Sequence, residues 1–226
     1  MSGRLRSVAL RGCDAEVDRI LTANVGTLLA HRDPNGRFYT WFVTPGFRND
    51  IDSVVNVNVV RYLGQRRETL PAIEFVLGLL TSGREQDSYW YYLDDLALYH
   101  AIARAGATVP RFKQCQDLLR DRIWARMRGQ HDVAESDLMT ALAASTMCRV
   151  SEPAALEADA GRSIDILLER QAPDGGWACE AFYAGPPPPG PRSVWFGSRE
   201  LTTALAIEAL ALFAGTSQRL RGRRAL

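Results

Sequence analysis

The chain has 226 residues, 46% of them apolar and 23% charged, with a formal net charge of +1. That length holds one well-buried core or at most two small ones, and the composition is ordinary for a globular protein. So small a charge gives no reason to expect nucleic acid or an acidic partner, and no run approaches the roughly 18 consecutive apolar residues of a membrane span.

Lys113 is the only lysine, so nearly all the positive charge is arginine. A GC-rich bacterial genome accounts for that bias; selection for carboxylate or phosphate recognition is the functional alternative. Cys13, Cys115, Cys148 and Cys179 are far apart and form no CxxC pair, and Met1–Gly12 carries no apolar leader. Both features lead us to expect a reduced, cytoplasmic protein.

Asp14–Ala30 reads as a first helix, with an apolar stripe from Val17 through Leu29 and a stop at Asp33-Pro-Asn-Gly36. An aromatic linker follows, from Phe38 to Phe47. A second helix is expected from about Asp50 to Leu63 and ends at Gly64, despite valines that favour strand in isolation. Leu70–Thr81 is the third. The polar and aromatic linker Ser82–Tyr92 leads to a fourth, Leu93–Ala105. Pro110–Arg128 contains a fifth, Ser136–Val150 the sixth and Ala154–Arg170 the seventh. A loop with four prolines, Pro186–Pro189, precedes the eighth, Arg199–Ala214. No β-strand alternation competes.

The helices alternate in character. The odd ones carry charges on a face; the even ones are apolar nearly all round, which demands burial on every side. Asp52, Asp95 and Asp137 open successive apolar helices at intervals of 43 and 42 residues, and Glu200 follows after 63. The pattern predicts an all-α protein of about four helical hairpins, apolar helices inside and amphipathic ones outside, in an α/α toroid that is open or shortened. One domain is expected over 1–226, its core in 14–214 and a basic tail in 215–226.

One device occurs twice. Arg32-Asp-Pro-Asn-Gly-Arg-Phe38 aligns with Gln171-Ala-Pro-Asp-Gly-Gly-Trp177, so that Gly36 meets Gly175 and Phe38 meets Trp177. The second copy resembles the QW repeat of triterpene cyclases, and the chain is similar to the terpenoid cyclase and protein prenyltransferase superfamily. The resemblance implies a toroid whose glutamine amide bonds free backbone groups at a helix end while stacking on the tryptophan. Asp50-Ile-Asp52-Ser53 is similar to the Asp-x-Asp-Asp motif of class II terpene cyclases, with Ser53 where the third acid stands. Carried over, Asp52 is the proton donor that starts cyclisation of a linear isoprenoid, and Asp50 hydrogen-bonds it.

On the same helix face, Asn56 is placed to orient the Asp52 carboxyl. Trp41, Tyr89, Trp90, Tyr91 and Trp195 offer π faces to a carbocation, and Asp95, Tyr99 and Asp137 are expected at the same mouth. Arg48, Arg61 or Arg199 would hold a diphosphate. No metal site is expected: His31, His100 and His131 stand at no zinc-ligand spacing with Cys179, and no Gly-rich phosphate loop is present. The chemistry asks for no cofactor, with Mg2+ compatible only as a diphosphate counter-ion. Two other readings fit the pattern. One is a non-catalytic toroid that binds a lipid or protein partner, in which the acids are helix caps. The other is a carbohydrate-active α/α barrel using opposed carboxylates.

Overall fold

The computed structural model of the chain describes residues 14–43, 46, 49–128, 135–185 and 194–224, except the side chains of 14–18 and 219–224. The Pro186–Pro189 run and Arg48 lie outside the described residues. The fold is all-α with one small strand pair. Its helices are α1 (Asp14–Ala30), α2 (Ser53–Leu63), α3 (Leu70–Ser82), α4 (Leu96–Ala105), α5 (Pro110–Lys113), α6 (Gln116–Met127), α7 (Asp137–Val150), α8 (Leu156–Glu169) and α9 (Arg199–Arg224). Strands β1 (Tyr183–Ala184) and β2 (Trp195–Phe196) pair antiparallel.

The helices pack in two rows. In one row α2 packs on α4, α4 on α7, and α7 on α9. The other elements flank it: α3 on α2, α6 on α4 and α7, and α8 on α7 and α9. The first row is the apolar set expected from the sequence. Within α4 and α7, nearly every side chain from Leu96 to Ala103 and from Leu138 to Met147 is buried. Alanines 141, 143 and 144 of α7 let its neighbours approach closely. One core centres on α2, α4 and α7; a second gathers Trp177 with Ala141, Ala144, Ile164, Leu167, Ala206 and Ala209.

Several boundaries differ from the expectation, for local reasons. Asp50 and Ile51 are not helical, because the Asp50 carbonyl accepts from both the amide and the hydroxyl of Thr40; α2 therefore starts at Ser53. Leu93–Asp95 are likewise outside α4: the Leu93 amide is turned to the Phe182 carbonyl, and Asp94 Oδ1 caps the Leu96 amide at 2.9 Å. The fifth helix is two, broken at Gln114–Cys115, which frees Gln116 to donate to the Arg149 carbonyl at the end of α7. A 3-10 turn, Pro153–Ala155, precedes α8, and α9 continues through the basic tail to Arg224 instead of stopping at Ala214.

The repeated turn is the joint of this fold. In both copies the third residue after the helix donates its amide across the turn, Asp33 to the Arg37 carbonyl and Ala172 to the Gly176 carbonyl, each at 2.8 Å. In both, the glycine amide donates back, Gly36 to Asp33 and Gly175 to Ala172. Gly36 and Gly175 sit at φ of 82° and 86°, in the left-handed region that glycine adopts without steric cost. Each turn delivers its aromatic residue, Phe38 or Trp177, into full burial.

Candidate functional site

The starts of α2, α4 and α7 carry the acids marked in the sequence, and the linkers before them bring in aromatics. Asp52 is the N-cap of α2. Its extended backbone lets Oδ1 accept the Val55 amide at 3.0 Å, while its own amide donates to Thr40 Oγ1 at 3.1 Å. The linker 88–92 covers it: the Ser53 amide donates to the Ser88 carbonyl at 2.7 Å. Asp52 is 0% exposed, and its Oδ2 is buried without a hydrogen-bond partner among the described residues. Burial raises its pKa to about 6, against the opposing pull of the Val55, Tyr91, Val54 and Trp90 amides.

The neighbours expected to serve Asp52 are committed elsewhere. The Asp50 carboxylate accepts the Tyr91 hydroxyl at 2.7 Å, so the bond expected between Asp50 and the second oxygen of Asp52 is not made. Asn56 does not orient the acid's carboxyl. Its Oδ1 accepts the Phe38 amide, and its Nδ2 donates to the Phe38 and Asp52 carbonyls, all within 2.8 to 2.9 Å. Asn56 is a buried bracket between the first turn and α2, which explains an asparagine inside a valine-rich helix.

Of the aromatics, Trp41 meets Tyr91 edge to face, with centroids 5.1 Å apart. Tyr91 is buried and its hydroxyl pKa is pushed up to about 12, first by burial and then by the bond to Asp50. Tyr92 lies close enough to Asp52 that the carboxylate's charge adds to burial in raising its hydroxyl. Trp90 turns outward and is 48% exposed; Trp195 is on β2, beside Ala184 of β1. Tyr89 stands on the α4 side, within the field of Asp95 and Asp94.

A second acidic group forms at the start of α4. Arg126 Nη1 lies 2.5 Å from Asp95 Oδ1, and Nη2 lies 2.6 Å from Asp94 Oδ2. The Tyr99 hydroxyl is 3.3 Å from both Asp95 Oδ2 and Glu85 Oε1, and Arg122 Nε is 3.3 Å from Glu85 Oε1. Burial raises Asp95 to about 7, helped by the adjacent Asp94. Burial also acts on Asp94, but its bonds to Asp95 and Arg126 hold it below the ordinary range. Asp95 is thus pushed up and Asp94 down within one arginine-bridged pair. Arg126 stands near the end of α6, two helices further along the chain, where a pattern of acids at helix starts does not mark it.

Asp137 and Arg199 serve the second turn. Asp137 Oδ2 accepts the Ala178 amide at 3.2 Å, and Oδ1 faces Arg170 at 3.4 Å. Arg199 forks onto Asp174 and donates Nε to the Trp177 carbonyl at 3.1 Å, so its guanidinium is engaged within the second turn. Glu180, unmarked in the sequence, caps α7 by accepting the Asp137 amide at 2.7 Å and the Ser136 hydroxyl. The Gln171 amide bonds the Gly175 carbonyl inside its own turn; the helix-end bond expected of it is made by the Trp177 indole, 2.8 Å from the Leu167 carbonyl.

Among the described residues, no group of three or more His, Cys, Asp or Glu is placed to hold a metal ion, and no helix is long and apolar enough to cross a membrane. The arrangement can do two things chemically: present near-neutral carboxylic acids at two helix starts, and flank them with the aromatic run 89–92. The sequence matches no protein-family model and no curated protein.

Proposed function

We propose that the chain is a small class II terpene cyclase-like enzyme, its hairpins arranged as an α/α toroid, which starts ring closure of a linear isoprenoid by proton transfer from Asp52. The observation that carries this reading is the condition of one carboxyl: wholly buried, raised to about 6, and with Oδ2 unpartnered beside an aromatic linker. An alkene is a poor base. Its proton must come from an acid that stays neutral in its site and whose O–H is not already held by an acceptor. Asp52 moves toward the first condition, its pKa raised from 3.8 to about 6, and Oδ2 meets the second, while Oδ1 keeps α2 capped in either protonation state. The proton passes from Oδ2 to a terminal alkene carbon, ring closure moves the cation along the chain, and a final deprotonation restores the acid. The faces of Trp41 and Tyr91 are suited to a passing cation. Asp95, raised to about 7, is a second carboxyl of displaced pKa on the other flank of the linker. Because residues 88–92 cover Asp52, a substrate reaches it only when that linker lifts.

The test is product analysis by gas chromatography and mass spectrometry, with linear prenyl diphosphates of increasing length. Asp52→Asn keeps the capping oxygen and removes the acidic proton. A cyclic product from the native chain that falls at least about a hundredfold in this variant is the expected result. A cyclic product made equally well by Asp52→Asn would sink the assignment.

A second reading, a non-catalytic binding scaffold, has its own observation. Asn56, Asp137 and Arg199 each hold a loop, while Trp90, Leu93, Tyr183, Val194 and Phe196 stay exposed around the strand pair. Absence of product from either protein, with both folded, moves the assignment there.

A further inference from the structure

At the opposite end of the inner row lies a cluster of which the acid-centred reading draws on Arg61 alone. Arg61, Arg104 and Arg149 stand in the last turns of α2, α4 and α7. All three lie within the field of a single carboxylate, Glu208 of α9. Arg149 Nη2 is 2.5 Å from Glu208 Oε1, and Arg104 Nε is 3.6 Å from the same oxygen. His100 of α4, almost wholly buried, has its Nε2 3.3 Å from Glu208 Oε2. Burial outweighs the carboxylate and lowers the His100 pKa, so the imidazole is neutral at pH 7. Three guanidiniums therefore face one anion.

Arg61 is the informative member. Among the described residues it makes no hydrogen bond or ion pair, and its charged neighbours are Arg104, Arg149 and Glu208. Burial and the two arginines both work against its charge. Arg149 Nε is also buried without a hydrogen-bond partner among the described residues. An arginine in the last turn is favourable for its own helix dipole, and that accounts for each residue singly. It does not account for three of them converging on one carboxylate, with donors left open. The α7 terminus has another partner, because Gln116 donates to the Arg149 carbonyl.

We infer that Arg61, Arg104, Arg149 and His100 form a binding site for a phosphate or diphosphate group, which completes the charge balance that Glu208 leaves open. The excess of two positive charges matches a phosphate dianion, and guanidinium forks fit its oxygens in pairs. The site stands on these residues alone and does not require Asp52 to be an acid. Arg61 is nine residues along α2 from Asp52, about 14 Å at the helical rise, so the two sites lie at opposite ends of one helix.

The experiment is titration calorimetry of the full chain with inorganic pyrophosphate at fixed ionic strength, beside thermal melts. The native chain is expected to bind and to gain melting temperature. Arg61→Ala should lose affinity at least about tenfold while melting no lower than the native chain without ligand, because it gives up no partner. Arg84→Ala, an exposed pair with Asp87 elsewhere, should bind as the native chain does. No binding at millimolar pyrophosphate, or equal binding by Arg61→Ala, overturns the site. A linear prenyl diphosphate in a parallel titration separates the sources: tighter binding than pyrophosphate assigns the site to the head of a prenyl chain, and equal binding assigns it to the free anion. Asp52→Asn should bind pyrophosphate unchanged, so failure of the cyclase reading and failure of this site are told apart.

Discussion

The turns at Arg32–Phe38 and Gln171–Trp177 share their backbone and almost nothing else. The two cross-turn bonds and the left-handed glycine coincide, yet the side chains that hold each turn differ. In the first, Asp33 folds back on the Asn35 and Arg37 amides and the Arg37 guanidinium, and a single Asn56 grips Phe38 at both its amide and its carbonyl. In the second, that grip is divided: Thr203 accepts the Trp177 amide and Arg199 donates to its carbonyl, while the indole reaches back to α8. The helices that follow differ too, α2 being capped by a buried acid and α9 by the neutral Ser198. What repeats is a backbone solution; each copy has found its own polar means of holding it.

That comparison can be broken most forcefully at the aromatic. Trp177→Ala removes a buried indole that three helices share and should cost about 4 kcal/mol in chemical denaturation. Trp177→Phe should recover all but about 1 kcal/mol of this, the worth of the bond to Leu167 that Phe38 never had. A smaller loss for Trp177→Ala than for Phe38→Ala would mean that the second turn is the lesser joint.

The capping acids come next. Asp52 binds its proton more tightly folded, at about 6, than unfolded, at 3.8. Its contribution is therefore fully present below about pH 4 and is lost as pH rises through about 6, a change of about 3 kcal/mol. Asp52→Asn should flatten that decline and be the more stable protein above pH 6. Ser198→Ala, at the start of α9, should weaken the cap with no change across the same window. Equal pH profiles for the native chain and Asp52→Asn would show that the α2 start carries no titrating burden.

Asn56→Ala strands two buried backbone groups of Phe38 and should cost about 3 kcal/mol, whereas Thr203→Val strands only the Trp177 amide and should cost about 1. Smallest are the glycines. Gly175→Ala should cost about 1 kcal/mol for its positive φ, because the new methyl meets nothing nearer than Gln171 Nε2 at 3.9 Å. Gly36→Ala should cost about 1 kcal/mol more, because its methyl would lie 2.8 Å from Pro71 Cγ. Identical losses at the two positions would remove the packing difference between the turns.

Much of this architecture is legible in the sequence. The alternation of apolar and amphipathic helices forecast the two rows, and the paired turn motifs forecast two joints of one geometry. Boundaries were lost where distant residues outbid local propensity: Thr40 draws Asp50 out of α2, and Phe182 draws Leu93 out of α4. The break at Gln114 has neither glycine nor proline to announce it. The strand pair is two residues a side, too short for any alternation to register. At the site, the positions of the acids at the starts of α2, α4 and α7 were legible, but their partners were not, because Tyr91, Arg126 and Glu180 come from other elements. The arginine cluster did leave a trace: Arg61 and Arg104 each follow an acid, Asp52 and Asp95, by nine residues.

The cover over Asp52 is tied down from both ends of the chain. Tyr91 reaches back to donate its hydroxyl to Asp50 and forward through its carbonyl, which accepts the Ala184 amide; the Leu93 amide donates to the Phe182 carbonyl. Hairpins that contact their neighbours can assemble one after another as a chain emerges from the ribosome. This cover cannot, since its last ties wait for residues 182–184, beyond α8. Until then two of the ties that hold the cover over Asp52 are unmade, and the burial that raises its pKa is incomplete. That part of its reluctance to ionise is acquired late, and a nascent chain that stalls after α8 carries the carboxyl without its full upward shift.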